Sequence, residues 1–172
     1  MQIMFLMAFA LLIITIAGIG TNRIDRSETL EPRTAAAHMA VYHNAAVTLC
    51  RETACSSGII SAGSVKTRVT DSIADGPLFA KQFFISNYDA PSKTVVTYMK
   101  PGFALRGSIN YATVNVGLRD LEGADSSSFG RWDASSKKII PSYVYGYAVN
   151  YKVPSAIASV LFDGTPVIVN RL

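Results

Sequence analysis

The chain has 172 residues, of which 49% are hydrophobic and 16% are charged, and its formal net charge is +4. Its basic residues are scattered, the densest group being the pair Lys137 and Lys138. A nucleic-acid-binding surface needs a stripe or cluster of basic residues with stacking aromatic side chains. We therefore expect no nucleic acid partner, and the chain is long enough to bury a core without metals or several disulfides.

Residues 1–20 contain no charged side chain. A helix of about 20 apolar residues, rising ~1.5 Å per residue, matches the ~30 Å hydrocarbon core of a bilayer. A cleaved signal peptide is the alternative, since Ala17, Gly18 and Gly20 offer a small-residue cleavage site. A signal would carry basic residues before an apolar core of only about 7 to 15 residues. We favour a retained transmembrane anchor over residues 1–20, in contact with membrane lipid.

Residues 21–33 are polar and are predicted to link the anchor to residues 34–172, which we expect to form one α+β domain. The linker contains Arg23, Arg26 and Arg33. The positive-inside rule counts Lys and Arg close to a span and would hold this end in the cytoplasm. The sequence alone therefore leaves open which side of the membrane the chain after the anchor occupies.

An Ala-rich segment begins at Thr34 and has the apolar periodicity of a helix. Its apolar stripe consists of Ala35, Met39, Tyr42, Ala46 and Leu49. The opposite side is polar and carries Asn44, Thr48, Arg51 and Glu52. We predict an amphipathic helix that packs its stripe on a sheet.

Cys50 and Cys55 are the only cysteines. Helical positions five apart point in different directions, so a disulfide requires the helix to end between them, and residues 56–58 (Ser-Ser-Gly) could supply that end. A disulfide would imply an oxidising compartment such as the periplasm. Two free thiols are equally compatible with the sequence.

His38 and His43 lie on the same predicted helix, five positions apart, so they do not share one helical face. No metal-ligand motif surrounds them, and we assign no metal site. We expect both side chains on the outward surface of the helix.

The rest of the chain is β-prone and broken by turn residues. The stretch 103–121 is ambiguous, because its apolar residues fit both periods, and we favour a helix in its first half. An Asp163-Gly164 turn signal precedes the last strand. We predict strands near residues 82–85 and 94–100, joined by a turn over 86–93, then β-structure over 129–140 and a final strand over 166–169.

Four tyrosines alternate in a segment that reads as an extended strand. They are Tyr143, Tyr145, Tyr147 and Tyr151. Tyrosine combines a large contact area with a polar tip, which suits a half-buried sheet face or an interface with another subunit. The segment is thus a candidate homo-oligomer interface, with a sheet face covered by the helix as the alternative.

No motif for nucleophilic catalysis, phosphate binding, dinucleotide binding or zinc hydrolysis is present in the sequence. Asp125, Asp133 and Asp163 stand beside turn residues, where aspartate normally hydrogen-bonds the local backbone. We therefore assign no catalytic, cofactor-binding or metal-binding residue and expect a protein that is not an enzyme.

An apolar N-terminal segment, an amphipathic helix and a β-rich remainder resemble the architecture of pilins and pseudopilins. The details resemble the PilM family of type IVb, or thin, pilus biogenesis proteins. The likeness spans the chain and rests on Met39, Tyr42 and Asn44 in the helix, and on Pro154, Ile157, Asp163, Gly164 and residues 167–169 near its end.

This resemblance implies a single-pass protein of the bacterial inner membrane with its body in the periplasm. It implies a role in pilin transport or basal-body assembly, with pilins or other assembly proteins as partners and no cofactor. Residues 1–22 lack the basic leader and the glutamate of type IV pilins, which argues against a processed fibre subunit. A minor pilin within the fibre and a secreted hydrolase or binding domain remain the alternatives.

Overall fold

Segments from distant parts of the chain form one antiparallel sheet, and the longest helix lies on it. The computed structural model describes residues 32–76, 79, 82–100, 110–121, 128–141 and 153–172. The predicted anchor over residues 1–20 and most of the predicted linker lie outside these residues. Within the described part, no helix is both long and apolar enough to cross a membrane.

The described residues form the following helices and strands, numbered in chain order. The helices are α1 (Pro32–Glu52), α2 (Ala62–Lys66), α3 (Asp71–Ala74), α4 (Tyr111–Asp120) and α5 (Ser155–Ala158). The strands are β1 (Gly58–Ile59), β2 (Phe84–Asp89), β3 (Thr94–Met99), β4 (Ser128–Asp133), β5 (Lys138–Pro141) and β6 (Pro166–Arg171).

The six strands lie in the order β1-β2-β3-β6-β4-β5, and the described pairings are antiparallel. The C-terminal strand β6 lies inside the sheet, where Val169 pairs with Val96 of β3 and Val167 pairs with Gly130 of β4. Strand β3 is buried along its whole length, because both faces of the sheet are covered. These features confirm the predicted α+β class with an antiparallel sheet.

Helix α1 packs its apolar stripe on one face of the sheet, as predicted. Of the predicted stripe, Leu49 is partly buried and the other four residues are buried, namely Ala35, Met39, Tyr42 and Ala46. The polar residues predicted for the opposite side are exposed. The ring of Tyr42 lies 5.9 Å from the ring of Phe84 on β2 and 5.2 Å from that of Phe79. Amphipathic packing of this kind supplies most of the stability of a helix in a protein.

Helix α4 packs beside α1 and corrects one prediction. We expected a helix in the first half of the stretch 103–121 and saw strand-like alternation in the second half. The second half is helical, because the side chain of Asn110 accepts from the Thr113 amide and that of Thr113 accepts from the Asn110 amide. Residues 101–109 lie outside the described residues.

The other face of the sheet is covered by residues 153–161, which include α5. Trp132 of β4 is buried there against Ile157 and Leu161. The sheet contributes alternate residues to this cluster, namely Val96, Tyr98, Val167 and Val169. Because successive side chains of a strand point to opposite faces, Val95, Thr97 and Met99 of β3 face α1.

Candidate functional site

The four tyrosines predicted as an interface, Tyr143, Tyr145, Tyr147 and Tyr151, lie outside the described residues. The described residues contain three other features with functional potential. These are the bridge between the cysteines, a buried chain of polar side chains under α1, and a groove on the opposite face of the sheet.

Cys50 and Cys55 are joined by a disulfide with a Cα–Cα distance of 5.1 Å. Helix α1 ends at Glu52, between the two cysteines, as the bridge requires. Gly58, which we considered as the end of the helix, instead opens β1 with a φ of 126°. The bridge therefore closes the short turn that leads from α1 to the sheet edge.

His43 corrects the prediction that both histidines face outward. It is 1% exposed and lies on the side of α1 that faces the sheet. Its Nδ1 atom is 2.9 Å from the Oγ1 atom of Thr97, and that oxygen is 2.6 Å from the Oγ atom of Ser86. Because Ser86 and Thr97 are paired in register on β2 and β3, the two hydroxyls and the imidazole form one chain from the sheet to the helix.

The electrostatics of this chain favour a neutral imidazole. Burial lowers the pKa of His43 to about 3, because the charged form would lose its hydration. Its Nε2 atom has no hydrogen-bond partner in the described part of the protein. Leaving a buried polar atom unpaired costs roughly 1–3 kcal/mol, so this chain carries a local penalty.

A small cavity adjoins His43 between the helices and the sheet. Its volume is about 30 Å³, enough for a water molecule but not for an organic ligand. The cavity is lined largely by apolar side chains, among them Leu118, Phe129 and Ile168. Ser86, Thr97 and His43 are each no more than 1% exposed in the described part of the protein.

His38 is partly buried and lies on a different side of α1. Its ring is 6.4 Å from the ring of Phe79 in an edge-on arrangement, and burial lowers its pKa. Within the described residues, no group of three or more His, Cys, Asp or Glu side chains is placed to hold a metal ion.

One of the three turn aspartates, Asp133, acts as the sequence predicts. The Asp133 carboxylate accepts hydrogen bonds from the side chain and amide of Ser135 and from the side chain of Ser136, which lowers its pKa to about 2. Asp163 instead accepts from the amide of Ala134, 29 positions away in the chain, at 3.1 Å. These carboxylates fix the turns beside β4 and β6, and Asp125 lies outside the described residues.

A groove of about 640 Å³ lies beside the buried cluster around Trp132. Trp132, which is 2% exposed, forms part of its wall together with Leu161 and residues of α5. Asp89 and Lys137 add one side chain of each charge to the lining. A mostly apolar cleft of this size with a few polar groups is typical of sites that bind small molecules or peptide segments.

Sequence reasoning did not find the groove, because its walls come from three separate stretches that only the fold brings together. Comparison with protein families, with curated proteins and with solved structures finds no match to the chain. The candidate sites therefore rest on the chemistry and geometry of this chain alone.

Proposed function

We propose that the protein is a non-catalytic, membrane-anchored component of a type IVb pilus assembly machine, resembling the PilM family. In this role, residues 1–20 form the single anchor in the inner membrane. The α+β head lies in the periplasm and presents its surface to pilins or other assembly proteins.

The observation that carries the proposal is the packing of α1 along an antiparallel sheet, with an apolar segment preceding that helix in the sequence. A helix laid on a sheet and preceded in the sequence by an apolar N-terminus is the arrangement that pilin-like heads share. Met39 and Tyr42, on which the likeness to PilM partly rests, belong to the face that holds α1 on the sheet.

Two further observations support this assignment. The Cys50–Cys55 bridge suits an oxidising compartment such as the periplasm. The polar chain of Ser86, Thr97 and His43 is enclosed among the described residues, which suits a role in the fold.

Deletion of the gene tests the function directly. We expect loss of surface pili with normal pilin synthesis, and restored piliation when the full-length gene is supplied on a plasmid. Normal piliation in the deletion strain would contradict the proposal.

An alkaline phosphatase fusion at Leu172 tests the topology separately, and an inactive fusion would place the head in the cytoplasm.

A minor pilin or pseudopilin is the nearest alternative, since the same packing would serve it. Immunogold labelling of sheared pili distinguishes the two, because only a fibre subunit would be found in the sheared material.

A secreted binding domain is favoured by one specific observation, the groove beside Trp132. Its N-terminus would be a cleaved signal. Recovery of mature protein lacking residues 1–20 from the soluble periplasmic fraction would support this second function and contradict the anchored one.

A further inference from the structure

The face of α1 toward the sheet contains one polar residue in an otherwise apolar row. Residues four apart on a helix lie above one another, and Ala35, Met39, His43 and Val47 form such a row. All four are between 0% and 4% exposed. Three of them are apolar, and only His43 hydrogen-bonds to the sheet.

Apolar packing distinguishes only in part between neighbouring positions of this helix. A shift along its axis by one turn, about 5.4 Å, would bring Met39 or Val47 to the place of His43. Cores tolerate exchanges among apolar side chains of similar volume, and methionine adapts to irregular space. The other buried residues of the face include three alanines, whose side chains are small, and Tyr42. The Tyr42 ring packs against two phenylalanine rings and also opposes a shift.

The polar chain distinguishes these positions sharply. In a shifted arrangement Thr97 would face an apolar side chain and lose its partner on the helix, while both nitrogens of His43 would be buried without one. Ser86 and Thr97 cannot compensate, because each hydroxyl already bonds the other and both side chains are fully enclosed. The observed arrangement leaves one imidazole nitrogen of His43 unpaired and a shifted one leaves both unpaired, so the larger penalty falls on the shifted arrangement.

We propose that the hydrogen-bonded chain of Ser86, Thr97 and His43 selects the position of α1 on the sheet and excludes arrangements shifted by one helical turn. This inference is independent of the pilus function.

The connection after α1 joins the sheet at a short edge strand, and Ser57 Oγ in it accepts from the Ala90 amide at 2.9 Å. The disulfide lies within the end of α1 and its following turn, so it moves with the helix and does not fasten it to the sheet. Strand β1 is only two residues long and lies at the sheet edge, with Ile59 73% exposed. Its attachment includes the bond from the Ile60 amide to the Ser86 carbonyl at 2.8 Å, which would break if β1 moved with the helix.

Thr97→Val tests the proposal, because it keeps the shape of the side chain and removes the hydroxyl. The full-length chain is isotopically labelled, purified in detergent and studied by amide NMR. We expect one set of α1 signals for the wild type, and for the variant a second set from roughly a tenth of the molecules or more. We also expect faster hydrogen exchange at the Ile60 amide in the variant.

Thr97→Ser is the matched control, since it retains the hydroxyl and should show one set of signals. Thr48→Val removes a hydroxyl from the exposed side of α1 and should also show one set. His43→Met makes the row wholly apolar and provides a second test if Thr97→Val does not fold. A single set of α1 signals with wild-type exchange at Ile60, in whichever of these two variants folds, would overturn the proposal.

Discussion

Strand β4 passes so close to β5 at Gly130 that a Cβ atom on this residue would overlap the carbonyl oxygen of Ile140. The obstructing atom belongs to the backbone of a paired strand, so it cannot move aside as a flexible side chain would. Gly130 pairs with Pro141 of β5 and with Val167 of β6. Relief would therefore require β4 to separate from a neighbouring strand.

We expect Gly130→Ala to lower the free energy of unfolding by about 3 kcal/mol, the upper end of the range for overpacking. Urea denaturation followed by tryptophan fluorescence measures this change. Gly63→Ala is the matched control, because the nearest atom to its Cβ would be Ser61 Oγ at 3.6 Å and alanine is the better helix former. Equal stabilities of the two variants would refute the steric interpretation.

Burial of His43 predicts that the protein loses stability in mild acid. The pKa is about 3 in the folded protein and about 6.5 in the unfolded chain. Between these values the unfolded chain binds a proton that the folded protein does not bind, so the free energy of unfolding falls as the pH decreases. Above pH 6.5 this effect is absent. The expected slope approaches about 1.4 kcal/mol per pH unit near pH 5.

Denaturation midpoints measured between about pH 7 and pH 4.5 test this expectation. His43→Leu should flatten the profile by most of that slope. His38→Leu is the control, because this histidine is only partly buried and its replacement should leave most of the slope in place. Parallel profiles for wild type and His43→Leu would show that another group causes the acid sensitivity.

The elements that sequence analysis located were those with an uninterrupted local pattern. Helix α1 has a continuous stripe, and strands β3 and β6 are runs of β-branched residues bounded by turns. Strand β2 continues to Asp89, beyond the predicted end at Ile85. The prediction ended there because Ser86 and Asn87 are residue types that suggest a turn. Both residues have hydrogen-bond partners on β3: the Ser86 hydroxyl bonds that of Thr97. The Asn87 side chain donates to Tyr98 Oη at 3.1 Å. Local sequence patterns do not reveal such contacts between strands.

The order of the strands and the role of His43 are long-range properties. The sequence predicted β6 as a strand, but only the fold places it between β3 and β4. His43 was expected outside because histidine is polar, although its position four residues after Met39 and four before Val47 puts it on the buried row. That spacing was the sequence signal that could have predicted the burial of His43. Its hydrogen-bond partner Thr97 is 54 positions away, so local patterns could not identify it.

The Cys50–Cys55 bridge should stabilise the head modestly. A bridge between residues five apart closes a very small loop in the unfolded chain, for which the chain-entropy model gives about 2 kcal/mol. We expect the double variant Cys50→Ser/Cys55→Ser to lose roughly this amount in urea denaturation. Dithiothreitol should lower the wild-type midpoint to a similar extent and leave the double variant unchanged. A wild-type midpoint that does not respond to reductant would contradict the prediction.

The cluster around Trp132 should depend on Ile157, although α5 is only four residues long. Ile157 is buried against this cluster, whereas Val160, three residues later, is 47% exposed. Ile157→Ala would leave a cavity that the short helix fills poorly, at a cost of about 2–4 kcal/mol. Val160→Ala removes a comparable side chain from the surface and should change stability by no more than about 0.5 kcal/mol. Trp132 is the single tryptophan of the chain, so its fluorescence reports unfolding of both variants at this face. If both variants unfold at the same urea concentration, residues 153–161 do not form the core contact that holds this face of the sheet.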